Sequence, residues 1–346
     1  MNGSLIDKLN EAPILCAEGY LFAMERRGYL QAGAFVPEVV LDNPDVVKQL
    51  HREFIRAGSD VVQAFTYYGH REKLRIIGKE HLLESLQKNA LDIAKEVSEE
   101  FKDLDLMICG DVANTNIYDP NDKSTLKECQ KMYEEQILWA KEAGVEFIVA
   151  ETISWVEEMK IALKAIKAEG LTAVTNYAIP RSDLTRDGYT PLEACKIIED
   201  LGSDVVGLNC FRGPATTFDF LKEIRNNVSC HVAGLPVPYR TNKTNPTFLN
   251  IQDTGCDCIP GGNAFPVALD NFYCNRFEMA EFAKSCKDIN INFIGICCGA
   301  EPHHVREMAL AIGKKPLSAK FSPDMSKHFH HGSDSSLKKV NKEIKY

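Results

Sequence analysis

Three things are scarce in this chain, and each scarcity excludes a class. No stretch approaches the ~18 uninterrupted apolar residues of a membrane-spanning helix, so no membrane association is expected. Positive charge is in deficit: 40 Lys and Arg stand against 49 Asp and Glu, a net charge of -9. A protein built to hold nucleic acid or anionic lipid would show the opposite balance. The first β-rich run continues as CAEGYLFAMERRG without the GxGxxG turn of a dinucleotide-binding open sheet. The start, MNGSLIDKLNEAP, is polar and helical in pattern, and the apolar run ILCA after it is too short for a secretory signal core. A cytoplasmic location follows as the expectation.

What is abundant is apolar residues, 45% of the 346, ample for a large core. Cysteine is also plentiful, at 12. In a reducing compartment, cysteines in so large a chain are not a disulfide framework. Cys16, Cys109, Cys129, Cys195, Cys230, Cys274 and Cys286 are expected to pack as small hydrophobes. Cys256 and Cys258, in the loop segment GCDCIPGG, lack a nearby histidine or second pair and are read as ordinary loop thiols.

Eight short apolar runs alternate with longer amphipathic stretches. The runs are 14–19, 60–68, 105–113, 146–152, 171–179, 204–210, 230–237 and 291–298. Their continuous apolar character suits parallel strands buried on both faces. Helical spacing marks 44–58, 81–101, 124–144, 154–170, 190–202, 215–227, 275–288 and 302–313, several ending in glycine before the next strand. Eight such repeats predict an α/β fold of the (β/α)8 TIM-barrel class, with a doubly wound open sheet as the alternative. Residues 239–266 read as a long loop able to lie over the barrel mouth. After about residue 314 the chain turns polar and basic, and its His328, His330 and His331 read as an exposed tail cluster.

Barrel enzymes place their reactive groups at the C-terminal strand ends. Reading the last residues of each run gives Glu18 and Gly19, then Phe65, Tyr67 and Tyr68, then Asp111 and Asn114. Glu151 ends the fourth run, Asn209 and Cys210 the sixth, and Cys297 and Cys298 the eighth. Three thiols from two strand ends suit one Zn2+ per chain, with a fourth position left open. Adjacent cysteines would normally face opposite ways; Gly299 allows the turn that brings both sulfurs together. Three thiolates make the ion a poor activator of water but a good holder of a fourth thiolate, which points to alkyl transfer onto a thiol. Glu18 and Glu151 would anchor a cationic group such as an α-amine. Phe65, Tyr67, Tyr68 and Phe35 could face a methylated cation through their rings.

These residues carry a resemblance. MERRGYLQAGAFVPE, QLHREFIRAGSDVVQAFTYYGHREKL, FIVAETISWVEEM, VVGLNC and IGICCGAEPHHVR resemble the zinc-dependent homocysteine methyltransferase family, and its betaine-using branch in particular, from about residue 10 to at least 313. The resemblance implies a homocysteine-binding barrel over 1–313 and a C-terminal extension over 314–346. It implies zinc on Cys210, Cys297 and Cys298, and homocysteine sulfur in the fourth position. Glu18, Gly19 and Glu151 would lie at the amino-acid end, and Phe35, Tyr67 and Tyr68 around the donor. Methyl transfer from glycine betaine would give methionine and dimethylglycine.

Three positions depart from the family pattern: Glu18 stands for aspartate, Phe35 for tryptophan and Thr152 for tyrosine. They admit a sulfonium donor, dimethylsulfoniopropionate or S-methylmethionine, as an alternative. A homo-oligomer is implied too, although the family's C-terminal arm is largely missing, which argues against a tetramer. Two readings from other classes stand beside these. One is a non-catalytic zinc and thiol redox sensor; the other is a barrel hydrolase using Glu18 and Glu151 as acid and base.

Overall fold

The computed structural model describes residues 3–255 and 257–342. Eight parallel strands close in sequence order into a barrel: β1 (Ile14–Ala17), β2 (Val61–Gln63), β3 (Met107–Ala113), β4 (Phe147–Ile153), β5 (Thr172–Tyr177), β6 (Val205–Asn209), β7 (His231–Leu235) and β8 (Phe293–Ile296). β8 closes on β1, with Ile14 opposite Phe293 and Ala17 opposite Ile296. This is the (β/α)8 barrel, not the open sheet.

The helices lie where the periodicity puts them, and local chemistry sets their ends. Proline opens Pro44–Ala57, Pro191–Asp200, Pro214–Asn227 and Pro302–Ala311, at the one turn where its missing N–H costs nothing. Thr190 with Glu193, and Asn275 with Glu278, form reciprocal caps at two N-termini. Gly58 and Gly144 close two helices at positive φ.

Strands are shorter at their C-terminal ends than the apolar runs suggest. Run 60–68 contributes only Val61–Gln63 to the sheet; the residues after it leave the ladder. Alternation makes the inner face of each strand a column of every second residue. The lower part of the barrel is apolar: Ile14, Val61, Met107, Phe147 and Phe293 pack together there. The helix Leu5–Glu11 plugs that end with Leu5 and Leu9, both buried, and is capped by Ser4 and Asp7. The other end is polar, as described below.

The long loop after β7 is tied to the rim. Phe248 N donates to Phe211 O at 2.7 Å, and Gly213 N donates to Thr241 Oγ1 at 3.0 Å. The extension starts against the barrel base, where Lys314 pairs with Asp60 at 2.8 Å and Ser318 N donates to Arg56 O. Among the described residues no helix is long and apolar enough to cross a membrane.

Ten cysteines are free thiols. The seven read as packing residues are buried, or half-buried for Cys230, and burial pushes their thiols up, to about 11 for Cys129 and about 12 for Cys230 and Cys274. Cys258 is disulfide-bonded rather than an ordinary loop thiol, and Cys256 lies outside the described residues.

His51, on the inner face of Pro44–Ala57, is buried against Tyr20 with both ring nitrogens unpartnered. Desolvation lowers it to about 3, against about 6.5 in an unfolded chain. Between those values the unfolded chain binds a proton that the folded one refuses, so stability falls as pH drops from about 6.5 towards 3 and is flat above. His51→Leu should therefore lose less stability than the parent between pH 7 and pH 5. Urea midpoints at the two pH values measure this; an equal loss in both proteins would contradict it.

Candidate active site

The inner column turns polar in its last layer. Two residues beyond Cys16, Val61, Cys109, Val149 and Gly207 stand Glu18, Gln63, Asp111, Glu151 and Asn209, all buried. Cys297, two beyond Gly295, continues the same layer on β8. Polar groups so deep must find partners or cost stability.

Glu151 has the most. It sits where the β4–β5 register shifts between Ala150 and Ile153, an irregularity that re-aims side chains at the rim. Gln63 Nε2 donates to its Oε1 at 2.8 Å, and Asn209 Nδ2 donates to its Oε2 at 2.6 Å. Asn209 also accepts from Thr152 N at 2.9 Å through its Oδ1. Burial and the charge of Cys210 push the Glu151 carboxyl up to about 7, against the pull of its hydrogen bonds with Gln63, Asp111 and Thr152. Asp111 faces it, and burial together with the Glu151 charge drives the Asp111 carboxyl well above its usual range. Glu18 is raised in the same way, burial first and the Glu151 charge next.

The three thiols meet over the end of β7. Cys210 N donates to Leu235 O and Cys297 N to Pro236 O, each at 3.0 Å, so β6 and β8 both lean on β7 one residue beyond their strands. Cys297 points inward by alternation. Cys298 would point outward, but the chain turns at Gly299, φ 94°, and its sulfur lies 3.9 Å from that of Cys297. A side chain at Gly299 would come within 2.5 Å of Tyr239 Oη. Cys210 reaches the cluster through a left-handed φ of 51°. All three sulfurs lie within 4.8 Å of one another, as do ligand atoms of Glu18, Glu151 and Cys297. Thiols of Cys297 and Cys298 donate to Cys210 and hold it well below the usual thiol range, while Cys297 and Cys298 are raised. Three sulfurs so close are soft donors that can take a metal ion with a preference for sulfur.

Backbone strain concentrates at this rim. Eight described residues other than glycine have positive φ; six lie in the loops after strands, Phe35, Tyr68, Asn116, Asp183, Cys210 and Phe211, and Thr152 lies at the end of β4. Such conformations persist where the surroundings over-determine them, typically at functional sites.

Two cavities lie at this end of the barrel, and thiols line the inner one. The inner one is enclosed, with about 10 Å3 of space, and is lined by Glu18, Asp111, Glu151, Phe65, Tyr67 and the pair Cys297 and Cys298. The outer one, about 470 Å3, opens at the barrel mouth between Tyr68, Thr152, Trp155, Arg186 and Phe211. So Phe65 and Tyr67 face the acid side and Tyr68 the mouth. Phe65 stacks on Tyr20, with ring centroids 5.5 Å apart. Tyr68 meets Tyr67 at 4.3 Å between centroids, and Lys73 Nζ stands 4.0 Å from its ring centroid. Phe35 lines neither cavity; it packs on Phe22, which also meets Phe248 and Phe265 of the long loop. Gly19 is in close contact with the residue after the Cys-Cys turn: an added Cβ would stand 2.5 Å from Ala300 Cβ. Gln63 was missed in the sequence because it sits in mid-run, and only inward parity with Val61 marks it.

A barrel whose thiols and carboxylates gather at the C-terminal strand ends belongs with the barrel enzymes that work at that face. Comparison with known proteins narrows the class. A family model described as homocysteine S-methyltransferase matches residues 19–312, and the chain belongs to that family of methyltransferases. It is 34% identical to betaine–homocysteine S-methyltransferase 1 of Danio rerio over 95% of this chain and 80% of that one. It is 29% identical to S-methylmethionine–homocysteine S-methyltransferase BHMT2 of Pongo abelii, over 95% and 86%. The fold matches the metallated form of the homocysteine methyltransferase MmuM of Escherichia coli, with a TM-score of 0.68 at 16% identity, covering 91% of this chain and 99% of that one.

Removing Asn209 would orphan Thr152 N and take one donor from Glu151, each loss costing about 1–3 kcal/mol when buried. Asn209→Ala should thus lower the urea midpoint of the metal-free protein by a clear margin. An unchanged midpoint would show that water replaces the amide.

Proposed function

We propose that this enzyme moves a methyl group from a methylated onium donor to the sulfur of homocysteine, at a zinc ion held by Cys210, Cys297 and Cys298, to give methionine. The observation that carries the reading is the sulfur cluster on the wall of an acidic inner cavity, with an aromatic cavity at the same end of the barrel. Tetrahedral zinc with sulfur ligands at about 2.3 Å requires sulfurs about 3.8 Å apart; the Cys297–Cys298 separation of 3.9 Å fits. Bound there, the ion would keep the acceptor thiol deprotonated at neutral pH.

The chain's own residues do the rest. Glu18 and Glu151 bind the amino-acid end of the acceptor below the sulfurs. Gln63 and Asn209 fix Glu151, so the acceptor meets a carboxylate that cannot swing away. Tyr68 lines the wall towards the donor with Tyr67 packed behind it, and its ring face favours a methylated cation. As the S–CH3 bond forms, the bond from methyl to nitrogen or sulfur breaks and its electron pair returns to the onium atom. Glycine betaine thus leaves as dimethylglycine.

The size of the outer cavity favours a second donor alongside. About 470 Å3 is room for a ligand well beyond a trimethylammonium acetate. Thr152, with no ring, lines that space, and Arg186 borders it 4.9 Å from the centroid of Trp155, a ready partner for a distant carboxylate. S-Methylmethionine or dimethylsulfoniopropionate would use that length.

The direct test is methionine formation from homocysteine by zinc-loaded protein, offered glycine betaine, dimethylsulfoniopropionate, S-methylmethionine and methyltetrahydrofolate separately. Turnover with one of the first three is expected; no methionine from any of the four would overturn the substrate pair. Cys298→Ala should abolish both bound zinc, read by elemental analysis, and turnover. Activity that survives it would favour an acid–base hydrolase on Glu18 and Glu151.

Thr152→Tyr should narrow the mouth and shift kcat/KM from S-methylmethionine towards glycine betaine by about tenfold. Tyr68→Ala should raise KM for the donor more than for homocysteine. Equal increases would remove Tyr68 from the donor wall.

A further inference from the structure

Three carboxylates face the inner cavity, and the reading above uses two. Asp111, on β3, is 2% exposed and lines the same space. No N–H or hydroxyl among the described residues reaches the oxygens of Asp111 or of Glu18; the one side-chain hydrogen bond of Asp111 is with the carboxyl of Glu151. The neighbouring amides are already committed: Gln63 Nε2 and Asn209 Nδ2 both go to Glu151. No Lys, Arg or His side chain lines the cavity.

Buried carboxylates without donors are costly, and the cost is relieved only by a partner that brings both positive charge and N–H groups. The enclosed space of about 10 Å3 is close to that of one water-sized group. An ammonium is a compact cation of that size with three donors. The oxygens of Glu18 and Asp111, which receive no N–H from the chain, can take all three. Cys297 and Cys298 form the opposite wall, so an ammonium seated here lies a short carbon chain from the sulfur cluster.

We propose that Asp111 determines acceptor specificity: together with Glu18 it binds the α-ammonium of an amino-acid thiol, and acceptors without that amine are rejected. The proposal rests on the function argued above. It gives the third carboxylate a ligand, where Glu151, already holding donors from Gln63 and Asn209, has less capacity left for one.

The test compares homocysteine with its des-amino analogue, 4-mercaptobutanoate, as methyl acceptors for the zinc-loaded enzyme with a donor that supports turnover. A site built to hydrogen-bond a substrate amine rejects the analogue lacking it by about 10^4-fold or more. The parent enzyme should show discrimination of that order. Asp111→Asn, which keeps the shape and removes the charge, should cut it by at least about tenfold, through a higher KM for homocysteine, with turnover of the analogue and zinc content unchanged. Asp111→Ser serves as a second variant, its fold checked by thermal melting. If the parent does not methylate homocysteine, the functional reading itself fails. If the parent methylates homocysteine and the analogue with equal kcat/KM, the ammonium site is overturned whatever the variants do. If the variants slow both acceptors equally, Asp111 is structural and the proposal is overturned.

Discussion

The site depends on the way β6 and β8 lean on β7 beyond their own ends. Two backbone hydrogen bonds, from Cys210 to Leu235 and from Cys297 to Pro236, carry the ladder one residue past the regular strands. At that point the chain breaks parity: Cys210 adopts a left-handed φ and Gly299 turns the segment after Cys298. Without the two bonds the sulfurs would lie on separate strand ends with β7 between them. With them, the two flanking strands converge over the end of β7 between them. The strain at Cys210 and Phe211 is the local cost of that convergence, of the order of 1–3 kcal/mol per residue.

Barrel closure turns this rim into a chemical gradient. An inward side chain in a closed sheet has no lateral escape, so each layer must satisfy itself. The lower layers do so with Ile14, Val61, Met107, Phe147 and Phe293 under the plug of Leu5 and Leu9. The last layer carries three acids and two amides, and its hydrogen bonds are shared unequally. Glu151 takes the amides, while Glu18 and Asp111 take none. A purely structural layer would not leave such an imbalance, since buried polar groups are almost always paired. The unpaired acids are therefore the part of the layer shaped for a ligand rather than for folding.

Much of this was legible in the sequence, for identifiable reasons. The eight strands were visible because parallel strands buried on both faces read as apolar runs, and the helix starts because Pro44, Pro191, Pro214 and Pro302 fix them. The thiol cluster was legible from position: thiols at the ends of the sixth and eighth runs must share one rim once the barrel closes. Other features were hidden. Gln63 lies inside a run that reads as uniform strand, and only knowledge of which parity faces inward makes it a site residue. Run 60–68 concealed the end of β2 because Phe65, Tyr67 and Tyr68 have strong β propensity, which tertiary contacts override at the rim. Phe35 read as part of the donor wall with Tyr67 and Tyr68, whereas its ring packs on Phe22, whose other ring contacts, Phe248 and Phe265, come from the distant loop and follow from no spacing.

Thr152 links the two sides of the thiols. Its backbone N–H is held by Asn209, its hydroxyl lies 3.3 Å from Glu151, and its side chain lines the mouth cavity. A residue at this position therefore lines the mouth cavity, where the donor is proposed to bind, and touches Glu151, proposed to bind the acceptor. A larger side chain here would fill the mouth, and its backbone would still have to keep the φ of 57° that lets Asn209 reach it. Donor choice and acceptor binding are then not separate properties of this barrel: any change of the donor wall at Thr152 is felt at Glu151 through one shared amide. Their physical connection is the Asn209 side chain, which couples Thr152, Glu151 and Cys297 in a single buried network.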